Sequence, residues 1–252
     1  TIFQNNFFNF NKNCDVLLEE EYSVSHNTIN NINYNIQAHE ESSIKHNIFQ
    51  NFSNTNKLYL SSNIVCEKKS SFKQNTYNFA KGLVRNFHNV KLNGEFSYAS
   101  LEGCFFLKDK NISSNKTYIT HNAENCQSNQ TYKGILNDDS RANYYSNTYV
   151  AKDAQKTEGY QLSKGILLTD NCYFFSKPEL RIFADDVKCS HGSTIGPVDE
   201  SALYYLRSRG INKKIAMKMI ISSFIEEDLK NLDDNTSEKI SLSLSEYLKS
   251  IV

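Results

Sequence analysis

From about Cys14 to Thr194 the chain alternates apolar and polar residues in short runs: Ile29–Ile36, Ile44–Phe52, Lys57–Val65, Leu83–Leu92, Phe96–Leu101, Lys116–Thr120, Arg141–Val150, Gly165–Leu168 and Glu179–Phe183. Strand side chains point to opposite faces in turn, so this period of two predicts many short, half-buried strands; helical periodicity is nearly missing. The runs are punctuated by Asn93-Gly94, Asn137-Asp138-Asp139-Ser140 and Thr169-Asp170-Asn171, whose residue types favour turns. Asn93-Gly94 fits an ordinary hairpin. Evenly spaced short strands suit a sandwich, a barrel or a solenoid, and no exact repeat selects among them. Residues 1–13 keep no clean period and read as a terminal strand or an N-terminal arm.

After Gly196 the period changes. Asp199 is a good N-cap for a helix carrying Leu203 and Leu206, which Gly210 ends. Asn212 caps a second helix with Met217, Ile221, Phe224 and Ile225 on one stripe, and Asn235 or Thr236 starts a third with Ile240, Leu244, Tyr247, Leu248 and Ile251. The text therefore divides into the arm (1–13), a β core (14–196) and a small helical domain (197–252), the last suited to capping a solenoid or docking a partner. Three short helices cannot bury every apolar side chain, which makes Tyr204, Tyr205 and Phe224 candidate partner contacts.

Charge changes the picture by exclusion. The 252 residues carry 28 basic and 28 acidic side chains, so no net charge draws the chain to nucleic acid or anionic membrane. No apolar run approaches the length of a membrane span. The six cysteines are scattered with no C-x-x-C, which fits a reduced, cytoplasmic compartment. Asn, Ser, Lys, Ile, Tyr and Phe are abundant and Trp is absent, a bias that nucleotide composition explains; Asn also suits corners that need left-handed backbone.

The candidate chemistry lies in Ile182-Phe183-Ala184-Asp185-Asp186-Val187-Lys188-Cys189-Ser190-His191-Gly192. On a strand Cys189 and His191 face the same way, roughly 7 Å apart along the chain. A thiolate and a neutral imidazole are both iron ligands, but two ligands do not close a site that takes about four. A partner or a distant segment must supply the rest. Asp185 and Asp186 point to opposite faces and suit a corner better than paired acid–base work. His26, His39, His46, His88 and His121 show no ligand spacing and read as surface or cavity residues. There is no P-loop and no G-x-S-x-G, so the chain carries no ATPase or hydrolase motif of those kinds.

A family resemblance rests on a series of segments in one order: Gln130-Thr131-Tyr132-Lys133-Gly134-Ile135-Leu136, Gln155-Lys156-Thr157-Glu158-Gly159-Tyr160-Gln161, Lys177-Pro178-Glu179-Leu180, Ala184–Gly192 and Leu203-Tyr204-Tyr205-Leu206-Arg207-Ser208-Arg209-Gly210-Ile211. The chain resembles the SufB/SufD scaffold family of iron-sulfur cluster assembly, and its Lys188-Cys189-Ser190-His191-Gly192 form is similar to the SufD branch. The family's N-terminal helical region has no counterpart here, so the resemblance implies a compact or trimmed form. It also implies a right-handed parallel β-helix with a C-terminal helical domain, and a non-enzymatic scaffold that pairs with a SufB-like subunit and docks a SufC-like ATPase through its helices. His191, with Cys189, would face the partner interface and meet iron or a nascent cluster transiently, with no tightly bound cofactor in the chain alone. The strand edge from Val187 to Ser193 would be covered by that partner, since exposed edges invite aggregation. Outside the resemblance, Lys133, Lys156 and Glu158 read as a solvated strand face. Two alternatives remain: a β-solenoid enzyme using groove carboxylates on a polysaccharide, and a homodimeric scaffold of the same family.

Overall fold

The computed structural model describes residues 1–23, 28–52, 56–229 and 234–251. Fourteen strands form two seven-stranded parallel sheets. The odd sheet contains β1 (Ile2–Phe10), β3 (Ile29–Ala38), β5 (Asn56–Cys66), β7 (Gly82–Leu92), β9 (Ile112–His121), β11 (Arg141–Val150) and β13 (Tyr173–Ile182). The even sheet contains β2 (Asp15–Tyr22), β4 (Ser43–Gln50), β6 (Ser71–Asn78), β8 (Tyr98–Leu107), β10 (Gln127–Leu136), β12 (Thr157–Leu167) and β14 (Val187–Pro197). Each strand pairs with the strand two places on, so the chain winds as a β-solenoid of about seven coils with one strand of each sheet per coil. Of the three architectures the alternation allows, this is the solenoid. Residues 2–10 are its first strand, paired with β3.

Corners hold the coils in register. Asn13, Glu41, Lys69, Phe96, Asn125 and Lys156 all take positive φ, and each donates its backbone N–H to the corner one coil further on, from Glu41 N to Lys68 O (3.0 Å) through Lys156 N to Asp186 O (2.6 Å). Only two of the six are Asn; the ladder of backbone hydrogen bonds, rather than residue type, selects the left-handed conformation. Asn93-Gly94 makes no hairpin. Gly94 sits in such a corner, where a Cβ would stand 1.9 Å from Lys68 N of the coil beneath.

Between the sheets the coils pack a continuous core that includes Ile36, Ile64, Leu101, Tyr132 and Tyr144. Tyr132 and Tyr144 stack across it at 4.4 Å. Missing side chains make room for rings: a Cβ on Gly134 would lie 2.1 Å from Phe105 Cε2. The core is also polar. His46, Gln74, Gln130 and Gln161 lie in one inward column of the even sheet with Leu101 between them, and His88 and Thr117 face them from the odd sheet. Gln130 Nε2 donates to Thr148 Oγ1 (2.8 Å), and Thr117 Oγ1 donates to Gln130 Oε1 (2.5 Å).

Two core histidines set a pH limit. Burial, with a smaller contribution from the charge of His46, pushes His88 down to about 3, and burial lowers His121 to about 4. Both stay neutral in the folded chain while the unfolded chain protonates them near 6.5, so stability falls as pH drops below about 6.5 and the loss levels off only near the folded values. Unfolding by urea is expected to require about 5 kcal/mol less at pH 4.5 than at pH 7.5, about 2.5 kcal/mol from each histidine; equal midpoints at the two pH values would refute the buried, neutral assignment.

The helices do not cap an end of the solenoid. α2 (Lys213–Leu229) and α3 (Asp234–Ile251) lie along the outer face of the even sheet, where Ile221, Ile225, Ile240, Leu244 and Tyr247 pack on Phe49, Tyr77, Phe106 and Ile135. Tyr247 Oη donates toward the carbonyls of Leu107 (3.0 Å) and Ile135 (3.2 Å). Lys133, expected on a solvated face, is buried: its ammonium donates to Phe224 O at 3.1 Å and lies over the Phe224 ring. Phe224 is half-buried against this cluster. α1 (Glu200–Ser208) is capped by the Asp199 carboxylate on Ser201 N and Ala202 N, and Gly210 ends it at φ +82°. Tyr204 and Tyr205 project from it, 76% and 58% exposed.

Candidate functional site

Among the described residues no strand follows the last coil of the solenoid in either sheet. β14 pairs only with β12 and β13 only with β11, so both strands of the last coil have a free edge. The register sets Val187, Cys189, His191 and Ser193 opposite Thr157, Gly159, Gln161 and Ser163, all inward positions of β12. Alternation thus places Cys189 and His191 on one face, as the strand reading requires, and that face is the interior of the solenoid at the coil where the interior meets its outside.

The two side chains differ in surroundings. Cys189 is half-buried against Val150, Ala154 and Ala184, with Gly159 beneath it, where a Cβ would come 3.3 Å from the sulfur. Burial pushes its thiol above the ordinary value, opposed by a hydrogen bond with the Gly159 backbone, so the sulfur is held as a thiol and must lose its proton to bind a metal. His191 is exposed. Beneath it Gln161 donates Nε2 to Thr148 Oγ1 (2.8 Å) and to Glu179 O (3.2 Å), while its Oε1 is buried without a protein partner. Ser193 continues the row through Ser163 (3.1 Å) to Ser176 (2.6 Å).

Among the described residues no group of three or more His, Cys, Asp or Glu side chains is placed to hold a metal ion. The end coil therefore offers an imidazole and a thiol with room for further ligands from outside. Asp185 and Asp186 form the bend before β14: Asp186 accepts from Lys156 N and donates its own N–H to Gln155 Oε1 (3.0 Å), a corner role. Glu158 pairs with Lys188 at 3.0 Å. His46, His88 and His121 are core residues and His39 bonds Asn9; His26 lies outside the described residues. The Gln130–Gln161–His191 column went unread in the sequence, although its members are spaced by about one coil.

A parallel β-solenoid with helices along one flank and an imidazole–thiol pair at an open end defines the class of protein. Residues 1–224 match the family model described as "SUF system FeS cluster assembly, SufBD core domain", and the chain belongs to that family of iron-sulfur cluster assembly proteins. The match includes the residues before Gln130, which lie ahead of every segment that carries the resemblance.

The chain is 34% identical over 152 residues to the iron-sulfur cluster assembly protein SufD of Escherichia coli, covering 60% of this chain and 36% of that protein. It is 26% identical over 210 residues to SufD of Plasmodium falciparum, covering 72% of this chain and 14% of that protein. It is 41% identical over 101 residues to the chloroplastic protein ABCI7 of Arabidopsis thaliana, covering 40% and 21%. The chain thus spans about a third or less of the length of these relatives. No helix among the described residues is long and apolar enough to cross a membrane.

Proposed function

We propose that the chain is a non-enzymatic, SufD-like scaffold arm of a SufBCD-type assembly in the cytoplasm, in which iron or a nascent cluster is cargo rather than a resident cofactor. The observation that carries the reading is the juxtaposition of His191 and Cys189 with the two free strand edges of the last coil. A SufB-like subunit extending both sheets at β13 and β14 would cover the edge from Val187 to Ser193 and complete the ligand set from its own side. Tyr204 and Tyr205 on α1 supply an exposed aromatic contact for a SufC-like ATPase. Catalysis by groove carboxylates is less well supported: in the cleft of about 370 Å³ lined by Phe96, Glu158 and Asp186 the Glu158 carboxylate is paired with Lys188 at 3.0 Å, and in the cleft of about 770 Å³ lined by Asp109, Asp138 and Asp139 the Asp138 carboxylate accepts from the Asp109 N–H at 3.0 Å.

Co-expression of the tagged chain with the SufB-like and SufC-like proteins of its source, followed by mass measurement of what co-purifies, tests the reading. One SufB and two SufC per chain is the expected result. Recovery of the chain alone, or as a self-pair, would overturn the heteromeric arrangement.

A further inference from the structure

The outer face of the even sheet is covered by α2 and α3; among the described residues no element covers the outer face of the odd sheet. Its outward positions carry seven Lys or Arg side chains, all exposed, and one carboxylate, Glu179, in a chain whose 28 basic and 28 acidic side chains balance as a whole. The other 27 acidic residues lie elsewhere.

The cations follow a rule. Lys57-x-Tyr59, Arg85-x-Phe87, Lys116-x-Tyr118 and Arg181-x-Phe183 recur coil after coil, with Asn147-x-Tyr149 in the remaining place. The register sets Tyr59 beside Arg85, Phe87 beside Lys116, Tyr118 beside Asn147 and Tyr149 beside Arg181. Each coil shifts the pair one strand sideways and two residues along, about 8 Å, so a cationic diagonal and an aromatic diagonal cross the sheet together.

A partner is constrained by what already occupies the rings. The Arg85 guanidinium lies over Tyr59 at 5.8 Å, and Lys116 and Lys177 lie over Tyr145 at 5.4 and 5.7 Å. Phe87 and Tyr118 lean on each other at 52°. These ring faces are not open platforms for nucleobases, as single-stranded nucleic acid requires. The cations, in contrast, are exposed to solvent, with Arg85, Lys116 and Lys177 resting on rings. Glu179 shows what they accept: its carboxylate takes Arg181 Nε (2.8 Å) and Nη2 (2.7 Å) and the Tyr145 hydroxyl.

We propose that the outer face of the odd sheet docks an acidic polypeptide segment of a partner protein, its carboxylates spaced along the Lys57–Arg85–Lys116 diagonal. Lys57, Arg85 and Lys116 lie on β5, β7 and β9, away from the open end at β13 and β14 and from α1, so docking on them does not depend on the scaffold reading.

The test is fluorescence anisotropy of the full chain with labelled dodecaglutamate and, separately, labelled dT15, at 50 and 200 mM salt. The peptide is expected to bind at 50 mM salt and weaken at 200 mM. K57E/R85E/K116E is expected to lower its affinity at least tenfold, and K213E/K249E, on the helices, less than twofold. K57Q/R85Q/K116Q, which adds no repulsion within the sheet, is expected to weaken it at least fivefold and covers the case in which charge reversal disturbs folding. Absence of peptide binding at 50 mM salt, tighter binding of dT15 than of the peptide, or equal losses in the helix variant would each overturn the proposal.

Discussion

Gly94→Ala is expected to lower the melting temperature by roughly 6–12 °C. The added methyl group would stand 1.9 Å from Lys68 N and 2.4 Å from Glu67 C, both backbone atoms of the preceding coil. No rotamer change relieves a contact of that kind. The corner must open, and with it the bonds from Gly94 N to Cys66 O and from Ser97 N to Gly94 O. Overpacking against a backbone that cannot yield costs about 3 kcal/mol, and a chain of this size loses about 2–4 °C per kcal/mol. Gly196→Ala is the control: nothing lies within 4 Å of its Cβ position, so its melting temperature should be unchanged or slightly raised. Equal melting of the two variants would show that the corner stacking does not constrain the fold.

His191→Ala is expected to leave the mass of the co-purified assembly unchanged and to reduce reconstituted iron-sulfur cluster at least tenfold. His191 is exposed on the end coil, so its removal opens no cavity in the core and should leave the melting temperature within about 1 °C. The expected loss is the scale seen when one group that holds or orients a metal is deleted. Cys189→Ser gives a complementary reading, since it keeps the volume while exchanging a thiol for a hydroxyl. Normal cluster yield in His191→Ala, with the assembly intact, would remove His191 from the site while leaving the scaffold role standing; loss of the assembly would instead make His191 an interface residue.

The sequence made some coils plain and hid others for identifiable reasons. β3 and β11 alternate cleanly because their inward positions include Ile32, Tyr34, Ile36, Ala142 and Tyr144. β6 and β10 were not legible because their inward rows include Gln74, Thr76 and Asn78, or Ser128 and Gln130, which look like solvent-facing residues until the opposite sheet supplies their hydrogen-bond partners. The coil repeat is hidden in the sequence because what repeats is a backbone ladder: Glu41, Lys69, Phe96 and Lys156 fill equivalent corners without sharing a side chain.

At the site, alternation was enough to put Cys189 and His191 on one face, but neither residue announces that the face is the solenoid interior or that the coil is the last. Lys133 misled because a lysine in a strand is ordinarily solvated, whereas here the Phe224 carbonyl and ring take its charge.

Since each strand touches chiefly the strands one coil before and after, the molecule behaves as a row of like units held by nearest-neighbour terms. A central coil is secured from both sides, whereas a terminal one is secured from one and frays first. Local opening is therefore cheaper where Cys189 and His191 reside than in the middle of the row, and the cost of rearranging that end to admit a newcomer is set by a single interface rather than by the melting of the whole.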